Sequence, residues 1–314
     1  MSKNILVTGG AGFIGSHLCE KLLETNKVIC VDNLITGNKE NVKLFLKHPN
    51  FIFIEHDVTR PLKLDYEIDE IYHLASPASP VDYAKKPIET MMANSLGTKN
   101  VLDLARGKNA RILLASTSEV YGDPKKHPQS EDYWGNVNPI GPRSCYDESK
   151  RFAEALGISY HQVYGVDVRI ARIFNTYGPR MRSNYGRAIP NFVTQALRGE
   201  DITVYGNGKQ TRSFCYISDM VEGLTKLMSS KYKGEVFNLG NPDERRIIDV
   251  AKMIREMTNS KSKIVFRPLP KDDPVRRKPD IRKAEEKLGW EPKVKFERGL
   301  ERTIEWFRKN GNLV

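Results

Sequence analysis

The feature that most constrains the fold is a glycine-rich turn between an apolar strand and an amphipathic helix near the start of the chain. Residues 5–7 (Ile-Leu-Val) form a short apolar run typical of a buried strand. Gly10, Gly12 and Gly15 follow with G-x-G-x-x-G spacing, and apolar residues then recur at helical intervals at Ile14, Leu18, Leu22 and Leu23. Glycine permits a tight turn and close backbone approach, and a helix N-terminus offers free N–H groups. The pattern predicts a pyrophosphate-binding turn in an α/β protein.

A carboxylate at the end of the next strand indicates which dinucleotide binds. Residues 27–31 form a second apolar strand that ends at Asp32, about twenty residues after the first glycines. A carboxylate there accepts hydrogen bonds from an adenosine ribose and repels a 2′-phosphate. The sequence therefore predicts NAD as the cofactor in preference to NADP.

Strand and helix patterns alternate through the first 175 residues. We predict further strands at 51–55, 70–74, 110–115 and 167–174, and helices at 88–105 and 146–164. This alternation is typical of an α/β Rossmann fold, a doubly wound parallel sheet with helices on both faces. Periodicity weakens after residue 175, where proline and glycine become more frequent. We predict an NAD-binding domain at 1–175, rejoined by about 214–240, and a smaller, irregular substrate domain mainly at 176–314.

Tyr146 and Lys150 give a second signal, because Tyr-x-x-x-Lys places a phenol and an ammonium one turn apart on the same helix face. A phenol has a reference pKa of about 10, and a nearby cation lowers that pKa toward the working range. Such a pair can take a proton from an alcohol. The motif alone is weak, since a partly buried tyrosine beside a solvated lysine is common on helices. The NAD-binding pattern gives it weight.

Polar side chains follow the predicted strands at their carboxyl ends, where ligands bind in parallel sheets. These side chains are Thr8, Asp32, Asp57, Ser76, residues 116–119 and Asn175. Arginines accumulate later in the chain, at positions 172, 180, 182, 187, 212 and 277. Guanidinium groups hold phosphate or carboxylate oxygens through paired hydrogen bonds. A small substrate with a diphosphate group fits this composition.

The net charge of +11 raises the question of nucleic-acid binding, but the 50 basic residues are interspersed with 39 acidic ones. The densest basic cluster, residues 276–278 with Arg282 and Lys283, is equally consistent with a solvated surface. We therefore expect no nucleic-acid partner. A basic surface also attracts a polyanionic small molecule.

The cysteines and the apolar runs indicate where the protein is located and whether it binds a metal. Cys19, Cys30, Cys145 and Cys215 are isolated from one another, with no C-x-x-C pair and no cysteine–histidine cluster, so we expect no metal site. The pattern indicates a reducing compartment. The chain shows no signal peptide and no run of about 18 apolar residues. We expect a cytoplasmic protein without a membrane partner.

These motifs, together with the segment LGWEP near the C-terminus, resemble the extended short-chain dehydrogenase/reductase superfamily. Within it, the chain resembles the UDP-glucuronic acid decarboxylases along essentially its whole length. The segments that carry this resemblance are HLASPASP (73–80), ASTSEVYGDP (115–124), HPQSEDYWGNVNPIGPRSCYDESKR (127–151), RIFNTYGPRM (172–181) and DDPVRRKPDI (272–281). The resemblance implies that bound NAD oxidises C4 of the sugar, that the β-keto acid formed loses CO₂, and that C4 is then reduced to give UDP-xylose.

The resemblance also implies roles for particular residues. Tyr146 is the base, Lys150 supports it, and Ser118 bonds the C4 oxygen. Glu119 relays a proton, and Arg277 holds the substrate carboxylate. The NAD site is then assigned to Gly9, Gly12, Phe13, Ile14, Gly15, Asp32, Asn33, Thr36, Gly37, Asp57, Val58, Leu74, Ala115, Tyr146, Lys150 and Thr176. UDP-glucuronic acid is assigned to Ser76, Asn175, Arg187, Tyr205, Arg212 and Arg277, with Tyr160 as a weaker contact across a dimer.

Two further expectations come from the resemblance. The superfamily commonly dimerises through helices that correspond to 88–105 and 146–164, so we expect a homodimer. The chain departs from its relatives at Met92 and Ala93, where a lysine and a threonine are common, and at Ser149, where glycine is common. A missing lysine removes one cationic contact to the substrate.

Several alternatives remain open at this stage. A 4,6-dehydratase typically has an Asp-Glu pair where this chain has Ser118 and Glu119, which disfavours that reaction. A 4-epimerase does not need Glu119 and Arg277 in this arrangement. A decarboxylase that releases the UDP-4-keto-pentose uses the same residues and is not distinguished by sequence. A non-catalytic NAD-binding regulator is the alternative from another class of protein.

Overall fold

The structure of the chain is a computed structural model that describes residues 2–310 except 184, 271, 273 and 275. Asp273 and Val275 of the segment 272–281, and residues 311–314 of the predicted substrate domain, lie outside the described residues. The described strands are β1 (Asn4–Thr8), β2 (Lys27–Asp32), β3 (Phe51–Glu55), β4 (Glu70–His73), β5 (Arg111–Thr117), β6 (Val168–Ile173), β7 (Thr176–Tyr177), β8 (Ile202–Tyr205), β9 (Thr211–Ser213), β10 (Cys215–Tyr216), β11 (Glu235–Leu239), β12 (Glu244–Arg246), β13 (Ile264–Arg267) and β14 (Arg276–Arg277).

The helices connect these strands and cover both faces of the main sheet. They are α1 (Phe13–Leu23), α2 (Pro80–Lys85), α3 (Pro87–Met92), α4 (Thr98–Lys108), α5 (Ser144–Tyr164), α6 (Ala188–Arg198), α7 (Ile217–Ser229), α8 (Ile247–Met257), α9 (Arg282–Leu288) and α10 (Phe296–Asn310). Two short 3₁₀-helices cover Lys39–Phe45 and Ser118–Tyr121. Within the described ranges, no helix is long and apolar enough to cross a membrane.

Seven parallel strands form the central sheet, in the order β11-β6-β5-β4-β1-β2-β3. The strand order reverses beside β1, since β2 and β3 continue to one side while β4, β5 and β6 continue to the other. In open α/β sheets, ligands bind outside the carboxyl ends of the strands at such a reversal. The predicted α/β Rossmann fold is confirmed.

Apolar side chains fill both faces of this sheet. On one face, α1 and α7 contribute Leu18 and Leu224 to a core cluster. On the other face, α4 contributes Leu102 to a second cluster, which also contains Tyr160 of α5. The strands are buried on both faces and therefore have almost continuous apolar sequences, which made them recognisable.

After residue 175, the described part of the chain adds smaller sheets and five helices, α6 to α10. Strand β8 pairs with β13, β7 pairs with β10, and β9 pairs with both β12 and β14. The range 214–240, predicted to rejoin the first domain, contains α7 and the edge strand β11. Val7 of β1 and Trp290, which follows α9, belong to one core cluster, so the two predicted regions share a continuous apolar interior.

The predicted helix at 88–105 is interrupted in the structure. The range predicted as a helix, 88–105, is formed by α3 and α4, which are joined by a turn of π-helix at Ala93–Gly97. The Asn94 side chain in this turn donates a hydrogen bond to Ser149 Oγ of α5 at 2.9 Å. Turns of π-helix are frequent at functional sites. Here the turn lies beside the helix that carries Tyr146.

Candidate active site

A cavity of about 410 Å³ lies at the carboxyl ends of the central strands. Its lining includes all sixteen residues that the sequence analysis assigned to the cofactor: Gly9, Gly12, Phe13, Ile14, Gly15, Asp32, Asn33, Thr36, Gly37, Asp57, Val58, Leu74, Ala115, Tyr146, Lys150 and Thr176. Three of the seven residues assigned to the substrate also line it, namely Ser76, Asn175 and Arg187. The fold therefore brings both sets to one place.

The glycine-rich turn lies at the base of this cavity, between β1 and α1. Gly9 has a φ angle of +72°, and a Cβ there would lie 2.7 Å from the backbone N of Ala75. A Cβ on Gly15 would overlap the carbonyl oxygen of Gly9. Helix α1 begins at Phe13, directly after the turn. The glycines thus allow the backbone to pass close to the helix N-terminus, where the free N–H groups favour a phosphate.

Asp32 ends β2 at the next edge of the cavity. Its carboxylate accepts hydrogen bonds from the backbone N–H groups of Ala11, at 3.0 Å, and Leu34, at 2.8 Å. Burial raises the pKa of Asp32, and these two hydrogen bonds oppose that rise. A Cβ on Gly37 would lie 2.7 Å from Asp32 Oδ1, so a residue with a side chain would crowd the carboxylate. Asp32 is thereby fixed where a ribose can reach it.

These observations test whether the cavity fits NAD. The glycine turn would lose its shape with a Cβ at Gly9 or Gly15, and the carboxylate of Asp32 is fixed by backbone amides at the end of β2. A dinucleotide needs a phosphate cradle and a ribose acceptor in this relative position. The residues present fit that group.

Tyr146 and Lys150 lie in the first two turns of α5, and both are almost fully buried. Lys150 Nζ donates a hydrogen bond to the carbonyl of Ala115 at 2.8 Å and lies 5.9 Å from the centroid of the Tyr146 ring. Burial raises the pKa of Tyr146, opposed by Arg187 and by a hydrogen bond with Thr117. The role predicted for Lys150 in lowering this pKa stays a prediction.

The ammonium of Lys150 is itself perturbed. Burial lowers the pKa of Lys150 to about 8, while the charge of Glu154 acts in the opposite direction. A buried lysine with a pKa near neutrality readily exchanges a proton. Lys150 is therefore suited to supply or accept a proton close to Tyr146.

Tyr83 contacts Tyr146 from behind, and the sequence analysis missed this. The two rings are stacked, with centroids 5.1 Å apart and planes 9° apart. Tyr83 is buried in α2 and does not line the cavity. The two residues are 63 positions apart, and no residue pattern in the sequence links them.

Glu119 lies between two arginines at the end of β5. It belongs to the 3₁₀-helix Ser118–Tyr121, and both Ser118 and Glu119 line the cavity. Glu119 Oε1 is 2.5 Å from Arg277 Nη1, and Glu119 Oε2 is 2.5 Å from Arg143 Nη2. Burial alone would raise the pKa of Glu119, but the two guanidinium groups outweigh burial and hold this pKa well below its usual range.

Arg277 lies behind Glu119, and its contact with the substrate stays a prediction. The sequence analysis placed its guanidinium on the substrate carboxylate, but Arg277 is buried, does not line the cavity and meets it through Glu119. Arg143 is a second partner of Glu119 that the sequence analysis did not assign. It lies within the segment 127–151, close to Tyr146, and that proximity was the available signal.

On the substrate side, Arg187 has a defined orientation. Its Nη1 donates to Asn175 Oδ1 at 3.0 Å, and its Nη2 donates to the carbonyl of Ala78 at 2.8 Å. Arg180, Arg182 and Tyr185 also line the cavity, although the sequence analysis did not assign them to the substrate. Three guanidinium groups on this side can hold a diphosphate.

The other assigned substrate residues lie outside the cavity lining. Tyr205 ends β8 and is partly exposed, and Arg212 lies in β9. The hydroxyl of Tyr160 donates to Asp103 Oδ1 at 2.7 Å, which orients this ring toward α4. Their roles toward the substrate stay predictions.

The fold and this site define an NAD-binding member of the extended short-chain dehydrogenase/reductase superfamily. The family model that matches residues 6–303 is described as GDP-mannose 4,6 dehydratase. UDP-glucuronic acid decarboxylase 1 from Xenopus tropicalis is 57% identical over 308 residues, which cover 98% of this chain and 72% of that protein. The chain belongs to the family of UDP-glucuronic acid decarboxylases.

Solved structures of related enzymes share the fold. A dTDP-glucose 4,6-dehydratase from Streptomyces venezuelae, with NAD bound, has a TM-score of 0.91 at 29% identity and covers 99% of this chain and 98% of its own. A UDP-glucuronic acid 4-epimerase from Bacillus cereus, in complex with UDP-glucuronic acid and NAD, has a TM-score of 0.87 at 30% identity and covers 98% of this chain and 99% of its own.

Proposed function

We propose that the protein converts UDP-glucuronic acid to UDP-xylose and CO₂ with bound NAD as a catalyst. The family supports the substrate and the reaction, because relatives along almost the whole chain are named UDP-glucuronic acid decarboxylases. The structural observation that supports this reaction is that Glu119, held by Arg143 and Arg277, lines the same cavity as Tyr146 and Lys150.

When bound, NAD would accept a hydride from C4 of the sugar and later return it. Tyr146 removes the proton of the C4 hydroxyl as that carbon is oxidised, and Ser118 donates a hydrogen bond to the same oxygen. Lys150 stays within reach of the Tyr146 ring and exchanges protons with it. The ketone formed is β to the carboxylate, so CO₂ leaves as the electrons of the broken C–C bond move into an enolate. A proton from solvent then adds to C5 of the enolate and restores the C4 ketone. Tyr146 then returns the proton to the C4 oxygen when the ketone is reduced.

Glu119 acts as a permanent carboxylate in this proposal. Its lowered pKa leaves it ionised throughout the working range, so it is poorly suited to the proton relay suggested by sequence. We assign it to holding Arg143 and Arg277 behind the cavity wall that Glu119 itself lines. Their positive charges stabilise the negative charge that develops on the substrate as CO₂ departs.

We also propose that the protein is a homodimer that pairs through α3, α4 and α5. Helices α3 and α5, and the turn of π-helix between α3 and α4, expose large apolar side chains, and exposed apolar patches mark interaction sites. The side chains are Ile88, Met91, Met92, Leu96, Phe152, Val163 and Tyr164. Ile88 and Met92 also line the cavity, so a partner would cover its edge. Light scattering of the purified protein would give a dimer mass, and a monomer mass at micromolar concentration would contradict the proposal.

We also propose a cytoplasmic location for the protein. Cys19, Cys30, Cys145 and Cys215 are all free thiols in the structure. Free thiols persist in reducing compartments. Fractionation of cells that express the protein, followed by immunodetection, would place it in the soluble or the membrane fraction.

Incubation of the purified protein with UDP-glucuronic acid, with and without added NAD⁺, tests the reaction. Mass spectrometry of the nucleotide sugar and absorbance of NADH are read together. Loss of CO₂ without lasting NADH is the expected result. Loss of CO₂ with one NADH per turnover would instead show release of the UDP-4-keto-pentose. An unchanged mass with an altered sugar configuration would show a 4-epimerase, and bound NAD without any change of substrate would show a non-catalytic regulator.

A further inference from the structure

Gln129 is buried in the long loop between Glu119 and α5, and it contacts the segment that follows Arg277. Its backbone N–H donates to the carbonyl of Lys278 at 2.9 Å, and its own carbonyl accepts from the N–H of Asp280 at 2.8 Å. Its side chain adds three more hydrogen bonds, the longest of them between Nε2 and His127 Nδ1 at 3.5 Å. Oε1 accepts from the backbone N–H of Lys278 at 2.9 Å, and Nε2 donates to the carbonyl of Lys126 at 2.8 Å. Gln129 is fully buried.

Arg277 directly precedes Lys278, the first residue of the segment that Gln129 holds. The Arg277 guanidinium binds Glu119 through Nη1 and donates to the carbonyl of Gly122 through Nη2 at 3.0 Å. β14 is two residues long and pairs on one side with β9. The Gln129 side chain fixes the chain immediately after β14. It thus fixes the backbone from which Arg277 extends.

Asn238 of β11 links the same loop to the sheet. Its Nδ2 donates to the carbonyls of Gln129, at 3.0 Å, and Asp280, at 3.1 Å. Its Oδ1 accepts from the hydroxyl of Tyr121 at 2.8 Å, in the 3₁₀-helix that contains Glu119. The two segments that meet at the Glu119–Arg277 pair therefore share one buried hydrogen-bond network. Within it, Gln129 contacts the backbone of Lys278, the residue directly after Arg277.

We propose that Gln129 is a positioning residue that holds Arg277 against Glu119. It acts through the backbone of Lys278, because an amide can at once donate to Lys126 and accept from Lys278. The catalytic consequence rests on the proposed decarboxylation, in which Arg277 stabilises charge as CO₂ leaves. A displacement of about 1 Å at such a group lowers a rate by roughly ten- to a hundredfold.

Four variants and one control test this inference. Gln129→Ala removes all of the side-chain hydrogen bonds, and Gln129→Glu keeps the acceptor for Lys278. Arg277→Lys and the double variant complete a double-mutant cycle. Gln195→Ala is the matched control, because Gln195 also bonds a neighbouring strand through both side-chain atoms, at Thr203. It does not line the cavity. We expect Gln129→Ala to slow CO₂ release at least about tenfold, Gln129→Glu to retain more activity than Gln129→Ala, and Gln195→Ala to be unchanged.

The double-mutant cycle distinguishes a positioning role of Gln129 from a general loss of protein stability. If Gln129 acts through Arg277, adding Gln129→Ala to Arg277→Lys changes the rate by less than about twofold, because coupled residues are not additive. Equal rate losses in both backgrounds would overturn the proposal. In stopped-flow experiments, NADH should form at the wild-type rate and then accumulate in Gln129→Ala, since only the step after oxidation is slowed. Slowed NADH formation would also count against the proposal.

Hydrogen exchange provides a readout that does not depend on the reaction. The backbone amide of Lys278 should exchange faster in Gln129→Ala than in the wild type or in Gln195→Ala, because its acceptor is removed. Unchanged exchange at Lys278 would overturn the positional claim. If the wild type releases no CO₂, the proposed function fails, and the exchange result still decides the position of Arg277. Gln129→Asn, one methylene shorter, serves where Gln129→Ala does not fold.

Discussion

The phenol rings of Tyr83 and Tyr146 lie face to face, with centroids 5.1 Å apart and planes inclined by 9°. Tyr83 lies in α2, close to the strand end that forms one wall of the cavity, and Tyr146 lies in the first turn of α5. Both rings are buried. The reactive phenol is therefore oriented by packing against a second phenol that does not itself line the cavity.

This contact predicts different results for two substitutions of Tyr83. Tyr83→Ala removes the ring behind Tyr146 and should lower the free energy of unfolding by roughly 3–5 kcal/mol. It should also lower kcat, because the Tyr146 ring gains freedom. The Tyr83 hydroxyl finds no hydrogen-bond partner among the described residues. Tyr83→Phe should therefore keep wild-type kcat and equal or exceed wild-type stability. Chemical denaturation and steady-state kinetics measure both, and equal kcat losses in the two variants would contradict the packing role.

Replacement of Glu119 tests the carboxylate between the two arginines. Glu119→Gln removes the negative charge that pairs with Arg143 and leaves the buried Arg277 without this carboxylate. Breaking a buried ion pair in this way should cost roughly 3–5 kcal/mol of unfolding free energy. Glu235→Gln is the control, because Glu235 pairs with Lys283 and Lys287 near the surface and its loss should cost under about 1 kcal/mol. Denaturation of both variants measures the difference. Similar costs for the two would show that the Glu119 pair is not buried as described.

We predict that Asp147 makes the stability of the folded protein depend on pH. Burial, with the charge of Glu119 second, raises its pKa from 3.8 to about 7, and its Oδ1 has no hydrogen-bond partner among the described residues. Between these two pKa values the folded state holds a proton that the unfolded state releases. Stability from this group is therefore present at low pH and is lost as the pH rises toward 7.

Asp147→Asn removes this titration and tests the sign. The melting temperature of the variant minus that of the wild type should increase as the pH rises from about 4 to about 8. Below pH 4, the difference should flatten because the carboxyl is protonated in both states. Calorimetry across this range is the measurement. A difference that stays constant or falls with rising pH would mean that Asp147 does not hold a proton in the folded protein.

The sequence predicted the parts of the site that depend on local pattern. The turn at Gly9 to Gly15 and the acid at Asp32 were predictable because a strand, a turn and a helix need particular residues at fixed spacings. The stacking of Tyr83 and the burial of Arg277 behind Glu119 were not predictable, since these contacts join segments distant in sequence and depend on packing. The turn of π-helix at Ala93–Gly97 was hidden because its residues continue a helical pattern.

We predict that a single substitution of Met92 increases the affinity for the substrate. It lines the cavity at the position where the family resemblance implies a lysine, whereas Met91 does not line it. The two side chains are similarly exposed, at 42% for Met91 and 41% for Met92. Met92→Lys should lower KM for UDP-glucuronic acid by about three- to tenfold, with kcat almost unchanged, because a cation gains a charge-assisted contact in the ground state and the transition state alike. Met91→Lys is the matched control, with light scattering to show that both variants keep the same mass. Equal KM changes in the two variants would show a general charge effect, and a changed kcat in Met92→Lys alone would place this residue closer to the chemistry than we propose.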